Sequence, residues 1–248
     1  KLVALLVVFL LAGCVSPQVK LSTQEIAQAS LPAERDETIA LIGATGMAGR
    51  YILQRALEQG YPVKVLARTP EKLAGLDSRI EIVQGDARDP QAIARLVRGA
   101  DVVITALGPV KADGDAARMI STTASDHVIR AMAAAGVSRY IIVSGAAVVV
   151  PGDQRNLTGW WMRQLVRLRL SEVLADKQAE YELVAGSDLD WTLVRCPLID
   201  SEPYVNSPRA SLLTPDSFHL RAGELADFIF REIEAPAFLK QAPFLYSE

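Results

Sequence analysis

The chain has few of the residues that crosslink proteins or hold metals. Cys14 and Cys196 are the two cysteines in 248 residues, and His127 and His219 the two histidines. The cysteines lie far apart in very different contexts, which excludes a disulfide framework. Neither has a Cys or His partner at ligand spacing, so no metal site is expected. An excess of one charge is missing as well: 26 Lys and Arg stand against 29 Asp and Glu, a net charge of −3. No basic tract interleaves with aromatics, which excludes a nucleic-acid surface. The apolar run from Lys1 to Ala12 is too short to cross a bilayer comfortably, but it suits the core of a signal peptide.

What is present is core-forming material, half of the residues being hydrophobic. That content and length suit one α/β domain, and no internal repeat divides it. Residues 1–14 read as a lipoprotein-type signal segment, because Leu11-Ala12-Gly13-Cys14 resembles the bacterial lipobox. Cys14 is then the lipidated residue, and the chain is expected to be membrane-anchored. A cytoplasmic protein with an incidental cysteine is the alternative. Residues 15–37 are polar, carry Pro17 and Pro32, and read as a tether. Residues 38–248 read as a single Rossmann-type domain, a doubly wound parallel sheet with a small C-terminal excursion on the substrate side.

The domain is organised around Ile39 to Gly49, Ile-Ala-Leu-Ile-Gly-Ala-Thr-Gly-Met-Ala-Gly. A buried strand stops at Gly43, and helical spacing begins near Met47. Gly43 permits a sharp exit from the strand, Gly46 lets backbone approach a pyrophosphate, and Gly49 lets the helix pack closely on the sheet. The start of the helix offers N–H groups and a positive dipole end to phosphate. With a second strand at Val63 to Leu66 the stretch forms a βαβ unit, and no Gly-Lys-Ser/Thr follows as in an ATPase loop. A dinucleotide is the expected ligand.

The tip of the second strand meets the adenosine ribose in such folds. Arg68 stands there, with Lys72 four positions on. Two cations suit a 2′-phosphate better than a bare hydroxyl, which favours NADP(H) over NAD(H). A solvated basic turn is the competing account. Asp86, after the strand Ile80 to Val83, is placed either to accept from the adenine amino group or to cap the helix beginning near Pro90. Gly108 follows the strand Val102 to Ala106 at the cofactor crevice. Ser144 and Gly145 end the strand from Tyr140 and face the nicotinamide side, with Ser144 a hydrogen-bonding group rather than a nucleophile.

Helical spacing is expected over 116–135, where His127 reads as exposed or capping rather than catalytic. Trp160 and Trp161 beside Arg163, Arg167 and Arg169 either cap an aromatic substrate, lie on a membrane surface, or belong to a core-facing helix with solvated arginines. Helix continues from Leu174 to Ala185, a strand runs from Trp191 to Val194, and Cys196 reads as a buried hydrophobe. Residues 199–217 read as irregular. A helix from Ala222 to Ile233 and a strand from Phe244 to Tyr246 close the domain.

Gly43-Ala44-Thr45-Gly46, Arg68, Gly85-Asp86 and above all Asp188 to Arg195 (Asp-Leu-Asp-Trp-Thr-Leu-Val-Arg) resemble atypical short-chain dehydrogenases. More narrowly, the chain is similar to the NmrA-like NAD(P)H-binding group that includes flavin reductase, or biliverdin-IXβ reductase. The resemblance covers Thr38 to the C-terminus. It implies that Gly43, Thr45, Gly46, Met47 and Ala48 hold the pyrophosphate, Arg68 and Lys72 the 2′-phosphate, and Asp86 and Ala87 the adenine. It further implies that Leu107 and Gly108 lie on the ribose side, and Ser144, Gly145 and Pro197 by the nicotinamide.

In the family at large a catalytic tyrosine precedes a lysine by four residues. Lys177 matches the lysine and would orient the ribose, but Val173 occupies the tyrosine position. Gly145 and Leu198 replace a pocket serine and histidine of flavin reductase. The function implied is NADPH-dependent hydride transfer to a planar acceptor such as a flavin or quinone, which asks little acid catalysis of the protein. A non-catalytic NADP(H)-binding sensor or assembly scaffold is the alternative, and a sugar-nucleotide epimerase-like enzyme is disfavoured by Val173.

Overall fold

The computed structural model describes residues 34–73, 79–108, 114, 118–215 and 217–248. Cys14 and the rest of the expected signal segment lie outside the described residues. So does the tether up to residue 33, while its end is docked. Arg35 donates from Nη1 to the Tyr61 hydroxyl at 2.7 Å and from Nη2 to Glu234 at 2.7 Å.

Strand β1 (Ile39–Ile42) is four apolar residues, all buried, and their side chains alternate between two cores. Ile39 and Leu41 pack with helix α1 (Met47–Glu58) and helix α6 (Ala222–Glu234) on one face of the sheet. Ala40 and Ile42 pack on the other face with α2 (Pro90–Val97), α3 (Ile120–Ala135) and α5 (Ser171–Ala185). A strand buried on both sides is the mark of a parallel sheet covered by helices. β1 pairs in parallel with β2 (Val63–Ala67) and β4 (Val102–Thr105), Ile39 lying opposite both Val63 and Val102.

The sheet is completed by β3 (Ile80–Gln84), β5 (Arg139–Gly145), β6 (Asp190–Cys196), β8 (Arg209–Ser211) and β10 (Phe244–Tyr246). Its order is β3-β2-β1-β4-β5-β6-β10-β8, with β8 antiparallel at the edge. The sequence reverses direction between β1 and β4, the switch point at which open α/β sheets bind ligands beyond their strand ends. Helix α4 (Leu157–Arg169) precedes α5, and the chain bends between them at Leu170.

Three details depart from the sequence reading. The stretch 199–217 is not wholly irregular. It holds β8 and most of β7 (Leu198–Asp200), which pairs in parallel with β9 (His219–Arg221) in a separate small sheet. Strands of three residues carry no periodic signal, and only tertiary pairing creates them. Helix α3 begins at Ile120, because Met119 takes a left-handed conformation (φ 52°) that cannot continue a helix inward. The helix near Pro90 is capped by Asp89, whose carboxylate accepts from the Gln91 N–H at 2.9 Å, and not by Asp86.

Candidate functional site

Two cavities open along the C-terminal ends of neighbouring strands. The first, about 560 Å³, runs from the end of β1 to the tips of β2, β3 and β4. Its floor is the turn from β1 into α1. Gly43 sits at φ +90°, and a Cβ there would stand 2.7 Å from the Ala106 carbonyl oxygen. A Cβ on Gly49 would come within 2.0 Å of the Gly43 oxygen, so α1 can seat on the turn only without that side chain. The Gly46 N–H donates back to the Gly43 carbonyl at 2.9 Å, tightening the loop. Gly46 is the helix N-cap and offers no side chain, and no acidic residue occupies the first turn. The leading N–H groups, which begin at Met47 and Ala48, therefore have no local acceptor, and the positive end of the helix is uncompensated.

Gly43, Thr45, Gly46, Arg68, Lys72, Asp86, Ala87, Leu107 and Gly108 all border this cavity. Arg68, Thr69 and Lys72 make one rim, at the end of β2 and in the following 3-10 turn (Pro70–Leu73). Arg88 stands on the same wall, a cation that the sequence reading did not single out. It binds Asp86 twice, Nη2 to Oδ2 at 2.6 Å and Nε to Oδ1 at 2.8 Å. These bonds hold the Asp86 carboxyl down at about 2, with the Arg68 charge helping. The Asp-Ala-Arg spacing was the available signal, since an Asp two residues before an Arg can close such a turn.

The second cavity, about 350 Å³, lies at the ends of β5 and β6. Gly145 and Pro197 line it, as do Val173, Lys177, Met162 and Phe218. Val173 thus presents an isopropyl group where the family pattern has a phenol. Lys177, one turn further along α5, is buried and points its ammonium inward. Its Nζ donates to Glu180 Oε2 at 2.8 Å and to the Val143 carbonyl at 3.2 Å. Glu180 Oε1 accepts from Ser125, whose hydroxyl also meets that of Tyr140 at 2.8 Å. Burial raises the Tyr140 phenol further above its ordinary range, and the nearby Glu180 charge adds to this. Burial likewise pushes the Cys196 thiol up, leaving a neutral hydrophobe in the cavity wall. Ser144 lines neither cavity, yet its hydroxyl is buried with no hydrogen-bond partner among the described residues.

The wall behind this cavity rests on a charge pair that the sequence did not reveal. Arg195, fully buried on β6, donates from Nη1 to both oxygens of Asp153 at 2.7 and 2.8 Å. Its guanidinium also donates to the Ala242 carbonyl and lies 3.7 Å from the centre of the Phe244 ring. Arg155 shares Asp153 at 3.2 Å and donates to the Ala146 and Val148 carbonyls.

A glycine turn leading into an uncapped helix, at the switch point of an open parallel sheet, defines a dinucleotide-binding α/β protein of the Rossmann type. The chain belongs to the NAD(P)H-binding family, whose model matches residues 43–236. A relative in Caulobacter vibrioides, ceramide reductase, is 30% identical over 163 residues, covering 65% of this chain and 46% of that protein. The chain spans about half the length of the curated relatives it matches. Among solved structures, ChuY, an anaerobilin reductase from Escherichia coli O157:H7, superposes with a TM-score of 0.69 at 21% identity, over 84% of this chain and 96% of its own. A short-chain dehydrogenase/reductase from Veillonella parvula in complex with NADP gives 0.67 at 16% identity, over 85% and 94%. These two likenesses show the shared fold.

Proposed function

We propose that the chain is an NADPH-dependent reductase that passes hydride to a planar, largely apolar acceptor of the flavin or quinone class. The observation that carries this reading is the adjacency of the two cavities. The cation-rimmed one ends at Leu107 and Gly108 after β4, and the apolar one begins at Gly145 after β5, the next strand in the sheet. Neighbouring strands stand about 4.8 Å apart, so a ligand seated along the first cavity reaches the mouth of the second.

In this reading the N-terminus of α1 and the Gly43–Gly46 turn hold the pyrophosphate, and Arg68 and Lys72 pair with the 2′-phosphate. Asp86, with Arg88 holding it ionised, and Ala87 border the adenine. Gly145 at the end of β5 offers its backbone edge to a nicotinamide, whereas the Ser144 hydroxyl expected to face it is buried outside both cavities. NADPH supplies the hydride, and the acceptor takes up one further proton from water on becoming its reduced form. Lys177 is held by Glu180 and Val143 and acts as a positioning residue for the β5 end. The apolar lining excludes water and stacks the acceptor, which suits chemistry that needs no protein acid. The reductase name of the Caulobacter relative supports the class of reaction.

One observation favours a second reading, a dinucleotide sensor or assembly scaffold: Val173 gives the second cavity no phenol. Titration of the full chain with NADPH and NADH, followed by FMN and a soluble quinone, separates the two. Arg68→Ala and Lys72→Ala should each weaken NADPH binding about tenfold, the low end of a charge-assisted bond because both residues are exposed, and leave NADH binding unchanged. Equal affinity for NADH and NADPH would refute the role of the cations. NADPH binding with no oxidation by either acceptor would replace the reductase by the sensor.

A further inference from the structure

Helix α4 is apolar on two opposite faces, and one of them faces outward. At about 100° per residue, Gly159, Met162, Val166 and the following Leu170 fall on one side, and all four line the second cavity. Leu157, Trp160, Trp161, Leu165 and Leu168 recur at intervals of three and four on the other side, interrupted by Gln164. These five are between 46% and 75% exposed. A surface helix of an ordinary globular protein shows solvent its polar face. Leu212 and Leu213 are exposed as well, on the loop whose Thr214 packs against the Gly159 side of α4. A contiguous apolar surface of this kind marks an interaction site.

The charges around the face choose its occupant. No Asp or Glu stands anywhere from Asn156 to Leu170. Arg167 and Arg169 each project about 100° from the centre of the apolar face, one on each side, by the same helical spacing. Both are exposed and form no ion pair with a described residue. Arg163 is turned inward to the Ala147 carbonyl. Tryptophans and leucines on one face, flanked by arginines, with no acid to repel phosphate, match the interface of an anionic bilayer.

We propose that the Leu157–Leu168 face of α4 lies in the headgroup region of an anionic lipid surface. The second cavity then opens on the inner side of a helix whose outer side touches lipid. The inference stands on α4 alone and does not depend on the cofactor assignment.

The test uses the full chain and its own fluorophores, because the apolar N-terminal run can bind lipid by itself. Trp160 and Trp161 lie on the proposed face, and Trp191, the third tryptophan, is buried in β6. Vesicles of phosphatidylglycerol and phosphatidylcholine with brominated acyl chains should quench most of the exposed-tryptophan emission. Trp160→Phe/Trp161→Phe, which leaves Trp191 as the sole emitter, should lose that quenching while its circular dichroism is unchanged. Arg167→Gln/Arg169→Gln should raise the lipid needed for half-quenching about thirtyfold on phosphatidylglycerol, and leave it unchanged on pure phosphatidylcholine. Vesicles that carry the protein down without quenching it would show attachment through the N-terminal run only and overturn the proposal. It would equally be overturned by an unquenched dimer that Trp160→Ser/Trp161→Ser dissociates in sedimentation velocity, since a second copy would then cover the face.

Discussion

Replacing Asp153 by Asn should destabilise the protein far more than a near-isosteric change of one loop residue normally does. In the native fold the Asp153 carboxylate is the only acidic partner of Arg195 among the described residues, accepting at 2.7 and 2.8 Å, and it also serves Arg155. The Arg195 side chain has no exposure at all, so the lost charge cannot be replaced by water without opening the core. Removing one partner of a buried pair costs about 3–5 kcal/mol. The remaining contacts, from the Ala242 and Val148 carbonyls and the Phe244 ring, favour the lower half of that range. The proximity of two unneutralised guanidiniums favours the upper half.

At about 2–4 °C per kcal/mol for a domain of this size, the melting temperature should fall by about 6–20 °C. In urea the midpoint should drop by about 1–2.5 M with an unchanged slope, followed by circular dichroism. The double variant Arg195→Met/Asp153→Leu should recover the part of the loss owed to Arg195, while Arg155, left with the Ala146 and Val148 carbonyls in place of Asp153, keeps its own share. A change below about 0.5 kcal/mol for Asp153→Asn would refute the view that this pair holds the cavity wall together.

Two further outcomes follow from the first cavity. Gly43→Ala should cost more than about 1 kcal/mol in urea unfolding and abolish NADPH binding by calorimetry, because φ +90° strains an L residue and its Cβ meets the Ala106 carbonyl. Wild-type affinity in a fully folded Gly43→Ala protein would contradict the close approach described. Asp86→Asn should be less stable than wild type at pH 7. The folded carboxyl of Asp86 is depressed, so its contribution is present above the unfolded value near 4 and is lost as pH falls through about 2. The stability gap should therefore close between pH 4 and 2, and a gap that persists at pH 2 would show that it has another origin.

The alternation of strands and helices, the glycine turn and the cations after β2 were legible in the sequence because each is local. A buried strand, a turn that only glycine tolerates and a helix start occupy adjacent residues, and Arg68 and Lys72 follow at the distance that one βαβ unit sets. The cavity they border needed no long-range information beyond parallel pairing of the first strands. Arg88 was missed because its pairing with Asp86 is a matter of side-chain geometry within a turn. The β7–β9 sheet was missed because three-residue strands exist only through their partners.

Composition and spacing thus reached the class of fold and singled out the glycine turn and the basic rim that border one cavity. Tertiary structure decided the rest. Asp153 and Arg195 are 42 residues apart and meet only because a loop folds over β6. Lys177 carries a free-looking charge in sequence, and only the packing of α5 on β5 turns it toward Glu180 and Val143. The two apolar faces of α4 are both written in its periodicity, but which of them meets the cavity and which is left outward depends on how the helix is seated. A period states which residues share a face; the energy of burying one face rather than the other belongs to the assembled surfaces.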